Sequence, residues 1–227
     1  MVSQNTNKIL GVWLTKVINW YFDLESFVIQ LKSLNLYMKT YILTFLFAIS
    51  NIYILNAQQF EWATSLGGTS RDVATSITTD ASGNVYTAGY FTGTVDFDPG
   101  VGTFNLTSNG GSDAFVQKLD SLGNFLWAKS LGGTSSYCYA WSITTDASGN
   151  VYTAGYFFGT VDFDPGVGTF NLTSIGGYDG FVQKMDASGN FLWAKSLGGT
   201  GDDYAWSITT DASGNLYTAG TFQGTID

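Results

Sequence analysis

The sequence has no histidine and one cysteine, Cys138, among its 227 residues. Without histidine, these residues cannot form a Ser-His-Asp triad, a Cys-His pair or a His-ligated zinc site. One cysteine excludes an internal disulfide, and we interpret Cys138 as a small, half-buried apolar side chain in a loop. The sequence also has no Walker A loop and no G-x-G-x-x-G ahead of a helix. We therefore expect no catalytic residues and no cofactor-binding residues in this chain.

Charged residues are also scarce, at 12% of the chain, and most of them are acidic. The formal net charge is −9, and residues 58–227 hold five basic against sixteen acidic side chains, a charge of −11. An acidic surface repels phosphate groups, which argues against nucleic acid and anionic membranes as partners. Proline is low at 2, whereas glycine (28) and aromatic residues (16%) are abundant. This composition is typical of short strands joined by tight turns.

An apolar run covers residues 41–55, with Lys39 before it and Asn56-Ala57 after it. This pattern predicts a secretory signal peptide over residues 38–57, cleaved after Ala57. The run is shorter than the ~20 residues that span a bilayer as a helix. Residues 1–37 are then an uncertain leader: either translation begins at Met38, or the apolar segment is an uncleaved anchor. We expect a protein secreted by a bacterium or held at its surface, which meets the membrane only through this segment.

A repeat dominates the rest of the chain. Trp62, Trp127 and Trp193 mark its period, with gaps of 65 and 66 residues. Three further blocks recur in the same order: SITTDASGNVYTAGYF at 76–91 and 142–157, with a close variant at 207–222; GTVDFDPGVGTFNLTS at 93–108 and 159–174; and FLWAKSLGGT at 125–134 and 191–200. Self-similarity at such a period is typical of solenoids and propellers.

Each repeat predicts four short strands separated by glycine-containing turns. In the first repeat they run from the innermost to the outermost as Ser76–Asp80, Asn84–Phe91, Phe115–Asp120 and Phe125–Leu131. An insertion at 93–111 separates the second and third strands and is expected to add a short outer hairpin. We predict an all-β fold of four-stranded antiparallel β-propeller blades in an incomplete ring, preceded by an N-terminal apolar helix. Residues 58–227 would then hold two complete repeats and one truncated repeat.

The blocks W-A-K-S-L-G-G, D-A-S-G-N-V-Y-x-A-G, D-F-D-P-G and G-x-D-x-F-V-Q-K together resemble the SBBP family of bacterial β-propeller repeats. The resemblance covers about residues 60–227. It implies an exported bacterial protein, often with many blades and often with a C-terminal sorting module. It implies no shared catalytic residues.

Five aspartates begin D-x-x-G-N segments: Asp80, Asp120, Asp146, Asp186 and Asp211. We interpret them as turn caps, with the carboxylate accepting backbone N–H groups and the glycine in a left-handed conformation. Their likeness to Asp-rich calcium loops is faint, because an EF-hand needs an acidic twelfth residue and no glutamate follows Glu61.

The D-F-D-P-G segments offer a weak candidate calcium site. Asp96 and Asp98, and likewise Asp162 and Asp164, are two residues apart and would share one face of a strand. Paired carboxylates suit Ca²⁺, whereas the alternative is a type II turn over Asp98-Pro99-Gly100. A melting temperature unchanged by a chelator would exclude the metal.

Two functions remain open. The first is a non-catalytic scaffold, adhesion or binding module at the cell surface, whose protein or glycan ligand is unknown. Its ligand would meet the inter-repeat loops Thr69–Ala74, Thr134–Ala140 and Thr200–Ala205, in which Asp202 and Asp203 are expected to be solvated. The nearby aromatic residues either stack on sugars or fill the space between blades: Tyr137, Tyr139, Trp141, Tyr204 and Trp206. The second function is the propeller part of a secreted carbohydrate-active enzyme whose catalytic residues lie further along the chain.

Overall fold

The computed structural model describes residues 61–225 together with residues 37, 38, 40, 41 and 44. Those five residues are helical, but most of the predicted signal peptide at 38–57 and the leader at 1–37 lie outside the described residues. The predicted N-terminal apolar helix therefore stays a prediction. In the described part of the chain, no helix has the length and apolar character needed to cross a bilayer. Contacts divide the chain into Met1–Phe60 and Glu61–Asp227, and the second unit is described below.

Residues 61–225 are all-β, and every pairing of strands is antiparallel. The first sheet has the spatial order β2 (Asp72–Thr79), β3 (Val85–Phe91), β6 (Asp113–Leu119) and β7 (Phe125–Leu131). The second has the order β8 (Tyr137–Thr145), β9 (Val151–Phe158), β12 (Asp179–Met185) and β13 (Phe191–Leu197). The third consists of β14 (Tyr204–Thr210) and β15 (Leu216–Thr221). The predicted strand order is confirmed.

The first strand of each sheet begins about four residues earlier than predicted. Strand β2 starts at Asp72 rather than Ser76, and its register with β3 shifts between Ala74 and Ser76. The same shift occurs between Ala140 and Ser142 and between Ala205 and Ser207. A β-bulge interrupts the alternation of inward and outward side chains, so the sequence pattern hides the strand beyond it.

The first strands of the three sheets lie side by side. Thr75 Oγ1 donates to the carbonyl of Ala140 at 2.8 Å, and Thr145 Oγ1 donates to that of Thr79 at 3.0 Å. Thr210 Oγ1 repeats the second bond to Thr145 at 3.1 Å. The first strand is therefore the innermost one, as predicted, and the arrangement matches that of consecutive propeller blades. Within residues 61–225 the sheets do not close into a ring.

The sheets pack through two different faces. Face A of the first sheet carries Phe115 and face B carries Tyr86, because neighbouring side chains along a strand point to opposite sides. Face B of the first sheet packs on face A of the second, burying Tyr86, Val116, Phe157, Phe181 and Met185 in one cluster. Face B of the second sheet packs on face A of the third in the same way. We call these two interfaces the seams.

The insertion forms a hairpin, but the prediction of an outer hairpin is wrong. Its strands are β4 (Thr94–Asp96) with β5 (Asn105–Thr107) in the first repeat, and β10 (Thr160–Asp162) with β11 (Asn171–Thr173) in the second. The second hairpin buries Val161 and Phe163 inside the seam, and Asp162 N donates to Gly132 O of the preceding repeat at 3.0 Å. The first hairpin likewise pairs with β1 (Gly67–Gly68). Each hairpin lies on face A because its apolar side chains fill the space between sheets.

Candidate functional site

The D-x-x-G-N segments are turn caps, as predicted. In the first of them, Asp80 Oδ1 accepts from the backbone N–H groups of Ser82 and Asn84 at 2.9 and 3.0 Å. Gly83 has φ 79°, and the corresponding glycines of the other four turns have φ between 78° and 84°. Burial alone would raise the pKa of Asp80, but hydrogen bonds from Asn84, Tyr86 and Ser82 outweigh it and lower the pKa. These carboxylates are therefore occupied by their own turns.

The turns also connect neighbouring sheets. Trp127 Nε1 donates to the carbonyl of Ala187 in the turn of the second sheet at 3.2 Å. Lys118 Nζ donates to the same carbonyl at 3.1 Å and lies 4.8 Å from the ring centroid of Tyr86. Trp62 makes the equivalent bond to Ser121 at 3.1 Å. The tryptophans that mark the repeat therefore fasten one repeat to the next.

The D-F-D-P-G carboxylates accept hydrogen bonds from their own hairpins. Asp96 Oδ1 accepts from Asp98 N at 3.0 Å and Phe104 N at 2.8 Å, and Asp98 Oδ1 accepts from Gly100 N at 2.8 Å. Asp162 and Asp164 repeat this pattern. The predicted type II turn is wrong, because it needs positive φ at Gly100, which has none. The turn is instead held by the hydrogen bond that the Asp98 carboxylate accepts from Gly100 N.

A calcium site at Asp96, Asp98, Asp162 or Asp164 stays a prediction. In the described part of the chain, no three acidic, histidine or cysteine side chains lie together as metal ligands. The first oxygen of each carboxylate already holds backbone N–H groups. A calcium ion would therefore rely on the second oxygens and on backbone carbonyls.

The interpretation of Asp202 and Asp203 as solvated charges is wrong. Asp203 is fully buried and accepts from the backbone N–H groups of Gly199 at 2.8 Å and Gln223 at 2.7 Å. Asp202 Oδ1 accepts from Tyr178 N at 3.0 Å. Cys138 occupies the position of Asp203 in the second repeat; it is fully buried in β8, not half-buried in a loop. Both positions lie at the seam, where the early strand start places them.

Nine aromatic side chains meet beside the inner strands at the loop end of the sheets. We call them the aromatic cluster: Tyr90, Tyr137, Tyr139, Trp141, Tyr156, Phe158, Tyr178, Tyr204 and Trp206. Tyr156 is its centre, with the ring centroids of Tyr139 and Tyr204 at 5.0 and 4.8 Å. The rings of Trp141 and Trp206, from consecutive sheets, lie 5.3 Å apart. The cluster thus joins all three sheets.

The bulges determine the direction in which two of these rings point. Trp141 and Trp206 are the unpaired residues at the register shifts of β8 and β14. A bulge redirects its extra side chain relative to the regular alternation of the strand. The interpretation that the rings fill the space between sheets is confirmed for most of them. Tyr137 and Trp206 remain partly exposed, and stacking on sugars stays a prediction. Sequence analysis missed Tyr90, Tyr156 and Phe158, which lie in strands that look like ordinary core strands, and Tyr178, which directly precedes β12.

The first sheet shows that the fold does not require this cluster. It carries Val73, Thr75 and Ser112 at the positions of Tyr139, Trp141 and Tyr178. Thr75 there donates to backbone carbonyls, and the sheet has the same strands and the same bulge. Residues 85–91 and 151–157 have the same sequence, as do β7 and β13, and β6 differs from β12 at two positions, so the aromatic residues are a local addition to a shared scaffold.

The hydroxyls of Tyr156, Tyr178 and Tyr204 stay protonated at physiological pH. Burial, with the neighbouring tyrosines, raises the pKa of Tyr156 and Tyr178 above the usual range. Burial, with Asp202 and Asp203, raises the pKa of Tyr204. The cluster therefore combines apolar ring surfaces with uncharged hydroxyl groups, which suits binding rather than acid–base chemistry.

Fold and site together define a β-propeller repeat protein that offers a binding surface. Residues 61–94 match the model of the SBBP family, described as a beta-propeller repeat, which confirms the resemblance over these residues.

Two curated proteins are similar over a longer stretch. An uncharacterised WD repeat-containing protein of Acanthamoeba polyphaga mimivirus is 26% identical over 191 residues, covering 72% of this chain. Regulatory protein FlaEY of Caulobacter vibrioides is 30% identical over 156 residues, covering 69% of this chain. The chain spans only 13% and 16% of the length of these relatives.

Proposed function

We propose that this chain is a non-catalytic, exported module of the bacterial cell surface that holds a protein or glycan ligand on the aromatic cluster. The observation that carries the proposal is the aromatic substitution of a repeat whose strands are otherwise the same. Val73 and Thr75 serve the fold in the first sheet, whereas Tyr139 and Trp141 replace them in the second. The match of residues 61–94 to the SBBP repeat supports a scaffold or binding role.

Binding is tested by retention of the labelled full chain on intact cells of the producing bacterium. The variant Tyr139→Val with Trp141→Thr carries the residues of the first sheet, so it is expected to fold with the same strands. We expect wild-type protein to remain on washed cells and the double variant to be released. Equal retention of both proteins, or of neither, would overturn the proposal. Leu192→Ser, an exposed position on the outer strand β13, is the matched control and should be retained.

Export is tested separately by N-terminal sequencing of the protein recovered from culture medium and cell-surface washes. We expect the mature chain to begin at Gln58, because the signal peptide is predicted to end at Ala57. Recovery of an intact Met1 in the membrane fraction would contradict cleavage and favour the anchor. Protein found solely in the cytosol would contradict export.

A further inference from the structure

The surface of the aromatic cluster centres on two exposed rings of the second sheet. Tyr137 and Phe158 are opposite each other in the register of β8 and β9, and each is 40% exposed. The ring of Tyr178 packs 5.7 Å from that of Phe158. The inner strands of the sheets on either side, β2 with β3 and β14 with β15, are all present. Within the described residues, these two rings remain at the surface.

Trp206 is also partly exposed, but for a different reason. Its equivalent in the second sheet, Trp141, packs against Trp206 of the following sheet. The exposure of Trp206 thus reflects a position on the third sheet that another sheet would cover. For this reason, the proposed ligand platform consists of Tyr137 and Phe158, supported by Tyr178 and Tyr139.

The charges beside the cluster argue against an anionic ligand, because one cation faces two carboxylates. Arg71 lies at one end, with its guanidinium 5.5 Å from the ring centroid of Tyr90. Lys118 and Lys184 lie outside the cluster, over the rings of Tyr86 and Tyr152, and each is 3.8 Å from an aspartate of its own sheet. Asp202 and Asp203 lie beside Tyr204 at the other end. In this acidic chain, phosphate, sulfate or carboxylate groups would meet repulsion.

The packing of the rings also excludes a compact cation held inside the cluster. Neighbouring ring centroids lie 4.8–6.4 Å apart, so the rings contact each other and leave no cage between them. The same contacts leave no groove between rings, which proline-rich peptides require. What remains is a small apolar platform edged by phenol hydroxyls, since six of the nine residues are tyrosines.

We propose that the platform binds a neutral, hexose-containing glycan, a proposal that rests on the proposed function. A pyranose ring has an apolar C–H face and a rim of uncharged hydroxyl groups. Its C–H face stacks on Tyr137 and Phe158, and its hydroxyls exchange hydrogen bonds with nearby tyrosine hydroxyls. Aromatic side chains provide such contacts at low conformational cost, because they have two rotatable bonds.

The test is calorimetric titration of the full chain with cellohexaose, maltohexaose and mannohexaose. We expect at least one of them to bind. Tyr137→Ser combined with Phe158→Thr, the latter residue being that of the first sheet at Thr92, should weaken binding by about tenfold or more. Tyr137→Phe keeps the ring and should change the affinity by less than about threefold. Leu192→Ser should bind like wild type. Near-ultraviolet circular dichroism of each variant verifies that the rings remain packed.

Three results would overturn the glycan proposal: no binding of any neutral hexaose, unchanged binding by the double variant, or preferential binding of a proline-rich decapeptide. If cell retention still depends on Tyr139 and Trp141, these results leave the binding module intact and reject its ligand class. If cell retention is also independent of the cluster, the proposed function fails as well.

Discussion

Asp113 is a fully buried carboxylate at the first seam. Its Oδ2 accepts from Asn109 N at 2.9 Å, whereas its Oδ1 has no hydrogen-bond partner among the described residues. Burial raises the pKa of Asp113, and the bonds from Asn109 and Gly110 only partly oppose this. Because the folded pKa exceeds the unfolded value of about 3.9, its stabilising contribution is complete below that pH. It is lost as pH rises through the folded pKa.

We predict that Asp113→Asn stabilises the protein at pH 7 by about 1 kcal/mol. The amide oxygen of Asn can keep the bond from Asn109 N, and the side chain carries no charge. The difference from wild type should shrink towards zero below about pH 4, where Asp113 is protonated. Urea unfolding at pH 4 and pH 7 measures it, and a destabilised variant at pH 7 would contradict the prediction.

Asp120 provides a control of opposite sign. Hydrogen bonds from the side chain and backbone of Asn124 lower the pKa of Asp120. The stabilising contribution of ionised Asp120 is therefore present above its pKa in the unfolded chain. It is lost as the pH falls through its pKa in the folded protein. Asp120→Asn should destabilise the protein at pH 7 and approach wild type in acid.

The residue positions that sequence analysis placed wrongly share one cause. Asp203 and Cys138 were assigned to loops because the strand pattern stops at the bulge. Both are buried, Cys138 as the second residue of β8 and Asp203 directly before β14. The D-x-x-G-N aspartates were predicted correctly, since the turn chemistry is local to five residues. Burial at a seam depends on the neighbouring sheet, which local sequence does not describe.

Each bulge also requires a glycine at one position in the second strand of its sheet. A Cβ built on Gly155 would overlap the carbonyl oxygen of Tyr139, and Gly89 and Gly220 face the same conflict with Val73 and Tyr204. The obstacle is backbone in each case, so it cannot move aside without breaking the pairing. The close approach of the two strands at the bulge thus requires glycine.

We predict that Gly155→Ala destabilises the protein by about 3 kcal/mol or more, because it disrupts the pairing of β8 with β9. Gly214→Ala is the matched control: it has φ 82° with nothing within 4 Å of a built Cβ. Its cost should be about 1 kcal/mol, from the left-handed conformation alone. Urea unfolding of both variants is the measurement, and equal effects would show that the bulge can relax.

The inserted hairpin is an element of the seam. Phe163 is fully buried there, with the rings of Phe157 and Phe181 at 5.3 and 4.9 Å. We predict that Phe163→Ala costs about 3–5 kcal/mol, whereas Val167→Ala at the exposed tip of the same hairpin changes stability by less than about 0.5 kcal/mol. Thermal unfolding of the two variants tests this. A small effect at Phe163 would mean that the hairpin is dispensable for packing.

Sequence analysis predicted this hairpin but not the surface on which it packs. The insertion at 93–111 was expected to form a hairpin, without bounds for its strands, and the four main strands followed from their turns. Where the hairpin packs depends on the gap between two sheets, which is a property of their stacking. The aromatic cluster was half predicted for the same reason, since Tyr156 is a regular strand residue until three sheets surround it.

Across the whole described molecule, equivalent residues differ in exposure according to their neighbours. Ile77 on face A of the first sheet is 68% exposed, whereas Ile143 at the same position of the second sheet is 5% exposed. Within residues 61–225, the inserted hairpin with β1 covers part of face A of the first sheet, but no sheet of another repeat covers the part that carries Ile77. The burial of this face therefore comes from stacking and not from the sheet itself.

We predict that Ile143→Ala costs about 2–4 kcal/mol, whereas Ile77→Ala changes stability by less than about 0.5 kcal/mol. Urea unfolding of the full chain compares the two. The exposed face should also promote self-association, so Ile77→Ser should raise the monomer fraction in sedimentation velocity experiments. A large stability loss for Ile77→Ala would show that another part of the chain covers this face.

The tryptophan-to-turn bond has a consequence for how such genes change. Trp62 and Trp127 each donate to the same turn of the following repeat, and the hydroxyls of Thr145 and Thr210 each donate to a backbone carbonyl of the preceding repeat. If unequal recombination duplicates or deletes a repeat, the donor and the acceptor of each of these bonds are therefore still encoded at the new junction between repeats. The number of repeats can therefore change without any need for new contacts between repeats, while substitutions at single positions such as 139 and 141 create ligand-binding surfaces.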